Sequence, residues 1–329
     1  MSTSNPDHEA PLVALGWDAA WQATLDATAG DGEPGRVIRH DGVAVLTTLA
    51  DDTRHLHLRP AVPPLAVGDW VLADGTTVAD LLPRRSLLER LDPSTGTPTV
   101  VAANIDLVLI VCGLDRPVRA GRIQRFVAQT RDAGALPVLV LTKTDLADDL
   151  DRVLTDARAI DPGLEVLQVS APTGAGMDAL AARIAGTTMV AVGESGAGKS
   201  TLANALCGED VAATAEVRRG DAKGRHTTTS RQLHLLPMGG CLIDTPGVRA
   251  VGLSADTATV EESFDDIAAI ALRCKFTDCG HNTEPGCAVR AAVADGSLGA
   301  QRLDSWQRLR GEVAEQAHRE QTQARRRRR

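Results

Sequence analysis

The chain has 329 residues, 43% hydrophobic and 24% charged, which excludes disorder over most of its length and allows two or three domains. Its formal charge is −8, of which −7 falls in residues 1–100, −1 in 101–250 and none in 251–329. That total argues against a nucleic-acid binder. The absence of Tyr, with three Phe and four Trp, leaves few rings for stacking bases, and no apolar run reaches membrane-spanning length.

Residues 1–34 form a polar, acidic N-terminal extension in which Leu12–Leu25 reads as one short helix around Trp17 and Trp21. The stretch lacks the basic and apolar regions of a secretory signal, so a cytoplasmic location is expected. Over 35–95 the runs RVIRHDGVAVLTTL, HLHLR, DWVLA and TVADLL alternate with Asp-Gly and Pro-Pro turns. Short strands at this spacing predict a five-stranded β-barrel of the OB-fold type.

The next domain, 96–252, alternates strands and helices. Strands are predicted at Ile105–Cys112, Leu136–Leu141, Glu165–Val169 and Thr188–Val192, and a strand pair at Leu233–Leu236 and Gly240–Ile243. Helices are predicted at Gly121–Ala133, Asp148–Ile160, Met177–Ile184 and Lys199–Leu206. The pattern implies a doubly wound, mainly parallel α/β sheet. Residues 253–329 read as helical, over Thr257–Leu272, Val289–Asp295 and Gly299–Gln323, ending in Arg325–Arg329.

The strongest motif is Gly193-Glu194-Ser195-Gly196-Ala197-Gly198-Lys199-Ser200, followed by Thr201. It is a G-x-x-x-x-G-K-[ST] phosphate loop between a strand and a helix, and the context weighs against a chance Gly-rich turn. Backbone N–H groups and the helix N-terminus would cradle phosphates, Lys199 would reach the β/γ-phosphates, and Ser200 would bind Mg²⁺.

Thr142-Lys143-Thr144-Asp145 resembles the guanine-specificity motif of GTPases, with Thr142 in place of the usual Asn, which shortens one support. There Asp145 would read the base and Lys143 lie along it. Taken alone, the segment is equally an ordinary strand end. Ser170-Ala171 resembles the second base-contacting loop. Asp244-Thr245-Pro246-Gly247 resembles the D-x-x-G loop, in which Asp244 holds the Mg²⁺ shell and Gly247 senses the γ-phosphate.

The order is unusual. The base motifs precede the phosphate loop and D-x-x-G comes last, as though the fold were cut after switch II and its ends joined. Together TKTD, SAPTGAG, GESGAGKSTLANAL, GRHTTT, DTPGVR and a Cys/His cluster resemble the RsgA family, over about residues 36–310. The resemblance implies an OB-fold, a circularly permuted P-loop GTPase domain and a small α-helical zinc-binding domain. It also implies GTP hydrolysis stimulated by the small ribosomal subunit and a role in that subunit's late assembly.

Segment 218–231 stands where switch I should be and carries a local charge of +4. It reads either as a solvated surface loop or as one facing phosphate. Thr229, in preference to its neighbours, would complete the Mg²⁺ shell. Val248 follows Gly247 where many GTPases use glutamine to orient water. His226 is the candidate substitute, with a plain surface histidine as the alternative; His226→Ala should then abolish stimulated turnover and spare GTP affinity.

Cys274, Cys279, His281 and Cys287 follow C-x4-C-x-H-x5-C, three thiolates and an imidazole suited to one structural Zn²⁺, against unpaired buried thiols. The resemblance matches its zinc ligands to the same four positions. Cys112, Cys207 and Cys241 read as small buried hydrophobes.

The expectation is a monomeric GTPase, using GTP/GDP, Mg²⁺ and Zn²⁺, that binds the immature subunit and its rRNA and hydrolyses GTP to release itself. An rRNA-binding scaffold with a vestigial nucleotide site is the alternative, and a P-loop ATPase or small-molecule kinase a third. Segments 218–231 and 325–329 would be the basic grips on RNA phosphates, if the tail is not merely solvated.

Overall fold

The computed structural model describes residues 10–91, 98–161, 163–208, 231–244, 264–276, 279–300, 302–308, 310, 311 and 314. Five strands form the barrel: β1 (Glu33–His40), β2 (Ala44–Thr48), β3 (Thr53–His57), β4 (Trp70–Asp74) and β5 (Thr77–Leu81). Strand β1 pairs with β2 and β4, β2 with β3, and β5 with both β3 and β4, so the ring closes as the turn pattern predicts. The apolar run 36–49 splits at Asp41-Gly42, where Gly42 adopts φ +88°. Val37, Val45, Leu56, Val71 and Val78 fill the interior with no measurable exposure.

The helix expected over 12–25 is two helices, α1 (Ala10–Ala14) and α2 (Ala19–Asp26). The chain breaks at Gly16, with φ +94°, and restarts at Asp18, whose carboxylate accepts from the Trp21 amide at 2.7 Å. The break turns both tryptophans onto the barrel: Trp17 and Trp21 lie 4.8 and 5.9 Å, centroid to centroid, from Trp70. Arg36 of β1 is buried beneath them, 5.0 Å from the Trp70 ring centre. Its guanidinium donates to the carbonyls of Leu15, Gly68 (3.3 Å) and Asn104 (3.1 Å), joining the N-terminal helices, the barrel and the next domain.

Strands β6 (Leu87–Leu91) and β7 (Pro98–Ala103), which the sequence reading did not include, pair antiparallel from either side of the expected domain boundary. The α/β domain then contributes β8 (Leu107–Gly113), α3 (Ala120–Asp132), β9 (Leu136–Thr142), α4 (Leu150–Arg158), β10 (Glu165–Gln168), α5 (Met177–Ile184), β11 (Thr188–Gly193), α6 (Lys199–Cys207), β12 (Gln232–Leu235) and β13 (Cys241–Asp244). Strands run in the order β10-β9-β8-β11-β13-β12. All are parallel except β12, which pairs antiparallel with β13 and meets β1 at Arg39↔Gln232.

The period-two alternation of β8 divides its side chains between two cores. Val108 and Ile110 pack with Ile123 and Val127 of α3, whereas Leu107, Leu109 and Val111 pack with Leu180 of α5 and Leu202 of α6. Cys207 and Cys241 are buried as expected; Cys112 is only partly so, because it lies near the open end of β8.

The C-terminal module contains α7 (Asp265–Ala271), α8 (Ala288–Ala294) and helical residues 302–308, around Phe264, Ile267, Val289 and Trp306. Arg302 pairs with both Asp266 oxygens at 2.5 and 2.8 Å and donates to the Ile160 carbonyl at 2.7 Å. One side chain thus fastens the module to the end of α4. Residues 257–263 and 315–323 of the two expected helices lie outside the described residues.

Candidate nucleotide site and metal centre

The candidate nucleotide residues gather where parallel strands end, the edge at which open α/β sheets bind ligands. Gly193 closes β11, Thr142 closes β9, Ser170 lies two residues beyond β10, and Asp244 closes β13. The register Val190↔Ile243 sets Asp244 level with Ala191, two residues before the phosphate loop, and Ser200 and Thr201 follow Lys199 in the first turn of α6.

Glycine is required at the loop's two ends. A Cβ on Gly193 would stand 2.2 Å from the Val111 carbonyl of the adjacent strand, and Gly198 adopts φ +93°. Between them, three successive carbonyls are taken by side chains from the β8 and β9 ends. Arg116 donates to Ser195 O at 3.3 Å, Lys143 to Gly196 O at 2.7 Å and the Thr142 hydroxyl to Ala197 O at 2.5 Å. In a trans peptide the N–H opposes the C=O. Holding these carbonyls therefore turns the N–H groups of Gly196 and Gly198 to the other side, as an anion cradle requires, while the Ala197 N–H donates to Glu194 O at 3.2 Å and closes the loop's turn. Lys199 Nζ donates to Gly193 O and Glu194 O at 2.9 and 2.7 Å.

The support expected to be shortened by Thr142 is present: its hydroxyl reaches the loop directly. Lys143 sits at φ +58° and is also held by Asp115 at 2.8 Å. Lys143, and after it Arg116, draws the Asp115 carboxyl down to a pKa of about 2. A lowered pKa means the ionised pair persists above the ordinary carboxylate range and is lost only as pH falls towards 2. Asp115→Ala is therefore expected to speed GDP release about fivefold, evenly from pH 5 to 8, as read by stopped-flow fluorescence.

Asp145 is exposed, and its Oδ1 accepts from the buried Ser170 hydroxyl at 2.6 Å. Ser170 N donates to Ala175 O at 2.9 Å, folding the loop that contains Ala171 back on itself. The serine's part in aiming the carboxylate was not read from the sequence, nor were Asp115, Arg116 and Arg122. These depend on which strands lie side by side, β10 by β9 for the serine, β9 by β8 for Asp115 and β8 by β11 for the arginines, neighbour relations that no local pattern records. His226, Thr229, Gly247, Val248 and Arg325–Arg329 lie outside the described residues.

In the C-terminal module the ligand atoms of Cys274, Cys279, His281 and Cys287 lie within 4.8 Å of one another. His281 Nδ1 is 3.6 Å from Cys274 Sγ and 3.4 Å from Cys287 Sγ, and those sulfurs are 3.9 Å apart. Tetrahedral coordination with Zn–S bonds of about 2.3 Å requires sulfurs about 3.8 Å apart, so the cluster fits such an ion. Cys287 also caps α8, its sulfur accepting from Arg290 N at 3.4 Å.

The sheet order, the held phosphate loop and the Asp145–Ser170 pair define a P-loop GTPase fold in permuted order. The family model for the RsgA GTPase matches residues 81–254. A small ribosomal subunit biogenesis GTPase RsgA from Streptomyces avermitilis is 44% identical over 322 residues, covering 94% of this chain and 86% of the relative. One of the same name from Xylella fastidiosa is 42% identical over 327 residues, covering 94% and 98%. The crystal structure of YjeQ from Thermotoga maritima has the same fold (TM-score 0.62, 24% identity, covering 86% of this chain and 98% of that one). So does that of YloQ, a circularly permuted GTPase (TM-score 0.60, 23% identity, covering 87% and 96%). The chain belongs to the RsgA GTPase family.

Proposed function

We propose that this protein is a GTPase of small ribosomal subunit biogenesis, which binds the immature subunit and its rRNA and hydrolyses GTP to couple late maturation to its own release. The observation that supports this best is the juxtaposition, on one sheet edge, of a base-reading carboxylate aimed by Ser170 and a phosphate loop held by Thr142 and Lys143. A vestigial site would not need its outward carbonyls pinned.

In this reading residues 193–201 hold the phosphates and Thr142, Lys143, Asp145, Ser170 and Ala171 the guanine end. Ser200, Asp244 and Thr229 hold Mg²⁺, Gly247 senses the γ-phosphate, and His226 serves the water. When bound, Mg²⁺ would neutralise phosphate charge during transfer. Cys274, Cys279, His281 and Cys287 hold one structural Zn²⁺. Domains run 1–34, 35–95, 96–252 and 253–329, the protein acts as a monomer, and its place is the bacterial cytoplasm. Among the described residues no helix is long and apolar enough to cross a membrane.

The test is GTP turnover by the full chain with and without purified small subunits. Stimulation of about tenfold or more is expected, lost in His226→Ala with GTP affinity kept within about twofold. Unstimulated turnover would remove the coupling, and ATP competing equally with GTP would remove the guanine assignment.

A further inference from the structure

A phosphate-binding loop attracts anions, yet the second residue of this one is a glutamate. The Glu194 side chain is 28% exposed and faces two arginines, one in the segment joining β8 to α3 and one in α3 itself. Arg122, in the first turn of α3, contacts Glu194 Oε1, and Arg116 Nη1 lies 3.7 Å from Oε2. Arg116 also holds the Ser195 carbonyl, and a Cβ on Gly196 would come within 3.1 Å of its Nη2, so its guanidinium lies along the loop's outer side. The strand register Val111↔Gly193 brings this segment against the loop.

We propose that Arg116 and Arg122 are positioning residues of the nucleotide site, which hold the Glu194 carboxylate away from the phosphates and neutralise it. The inference rests on residues 193–200 binding nucleotide phosphates. Neither arginine needs to touch nucleotide. Released, the carboxylate would oppose incoming phosphate by like-charge repulsion, and would oppose GTP more than GDP because GTP carries the additional phosphate. Arg116 does a second job through Ser195 O, keeping the Gly196 N–H turned inward.

The test uses the full chain and fluorescent GTP and GDP analogues at low salt. Arg122→Met keeps the length of the side chain and removes its charge; it is expected to raise the GTP Kd about fivefold and the GDP Kd less. Raising salt to about 0.5 M should shrink the difference, because screening acts on charge and not on packing. Arg122→Met/Glu194→Gln should return to within about twofold of Glu194→Gln alone, and Arg122→Lys should resemble wild type.

If Arg122→Met binds as wild type does, or Glu194→Gln fails to rescue it, the inference is overturned and the nucleotide site stands. If unaltered protein binds neither nucleotide, the reading of residues 193–200 fails instead. The two failures are thus distinguished by the wild-type measurement.

Discussion

Asp145→Asn is expected to lower GTP affinity by about 100-fold or more while raising affinity for xanthosine triphosphate. A carboxylate accepts from both N1–H and the exocyclic amine of guanine. Asparagine keeps one acceptor and presents an N–H where the amine also donates. Hydrogen bonds to charged groups are worth about 1.5–3 kcal/mol each, and losing such a pair gives this scale of effect. Xanthine has an oxygen in place of the amine, so the amide that repels guanine suits it. The Ser170 hydroxyl, 2.6 Å from Oδ1, should keep the new side chain in place. Competition titrations with the two nucleotides decide it; a GTP Kd changed by less than about twofold would show that Asp145 does not read the base.

Removing the metal should have the next largest effect, and a different signature. Cys287→Ala deletes a candidate ligand and the sulfur cap of α8 together. Structural zinc contributes on the order of 10–16 kcal/mol in small modules, more than the remaining core around Phe264 and Trp306 would be expected to supply. Hydrogen exchange should show residues 264–308 losing protection while β8, β9 and β11 keep theirs. Metal content should fall from about one zinc per chain to nearly none. Stoichiometric absence of zinc from unaltered protein with a protected module would reject the centre.

What the sequence made legible was local. The strand–loop–helix around Gly193–Ser200 declares itself because it is one continuous stretch, and the Cys/His cluster does so because its four residues lie within 14 positions. The barrel strands emerged because Asp41-Gly42 and the Pro-Pro turn punctuate them. The reading of residues 12–25 as one helix overlooked Gly16, where apolar periodicity continues through a residue whose backbone ends the helix. The β6–β7 hairpin was missed because its attachments are distant in sequence: the Ala103 amide donates to Val67 O at 3.0 Å and the Leu87 amide to Ala133 O at 2.9 Å. The clamps on the phosphate loop were missed for the same reason. Arg116 and Ser195 are 79 residues apart, and only strand adjacency makes them neighbours.

That adjacency also governs how the protein comes into being. Strand β8 pairs with β11 from Leu107↔Met189 to Val111↔Gly193, closing a loop of about 80 residues. The ribosome therefore releases the half that carries Thr142, Lys143, Asp145 and Ser170, β8 to β10, before the Gly193–Ser200 loop exists for it to meet. Until β11 arrives, β8 has one open edge, and Val108 and Ile110 lack their central neighbour. A pairing this remote makes folding slow and leaves an apolar edge exposed to other chains meanwhile. Guanine nucleotide cannot stabilise the nascent domain until the second half has been synthesised, so its contribution to folding comes late, as a seal on the assembled sheet.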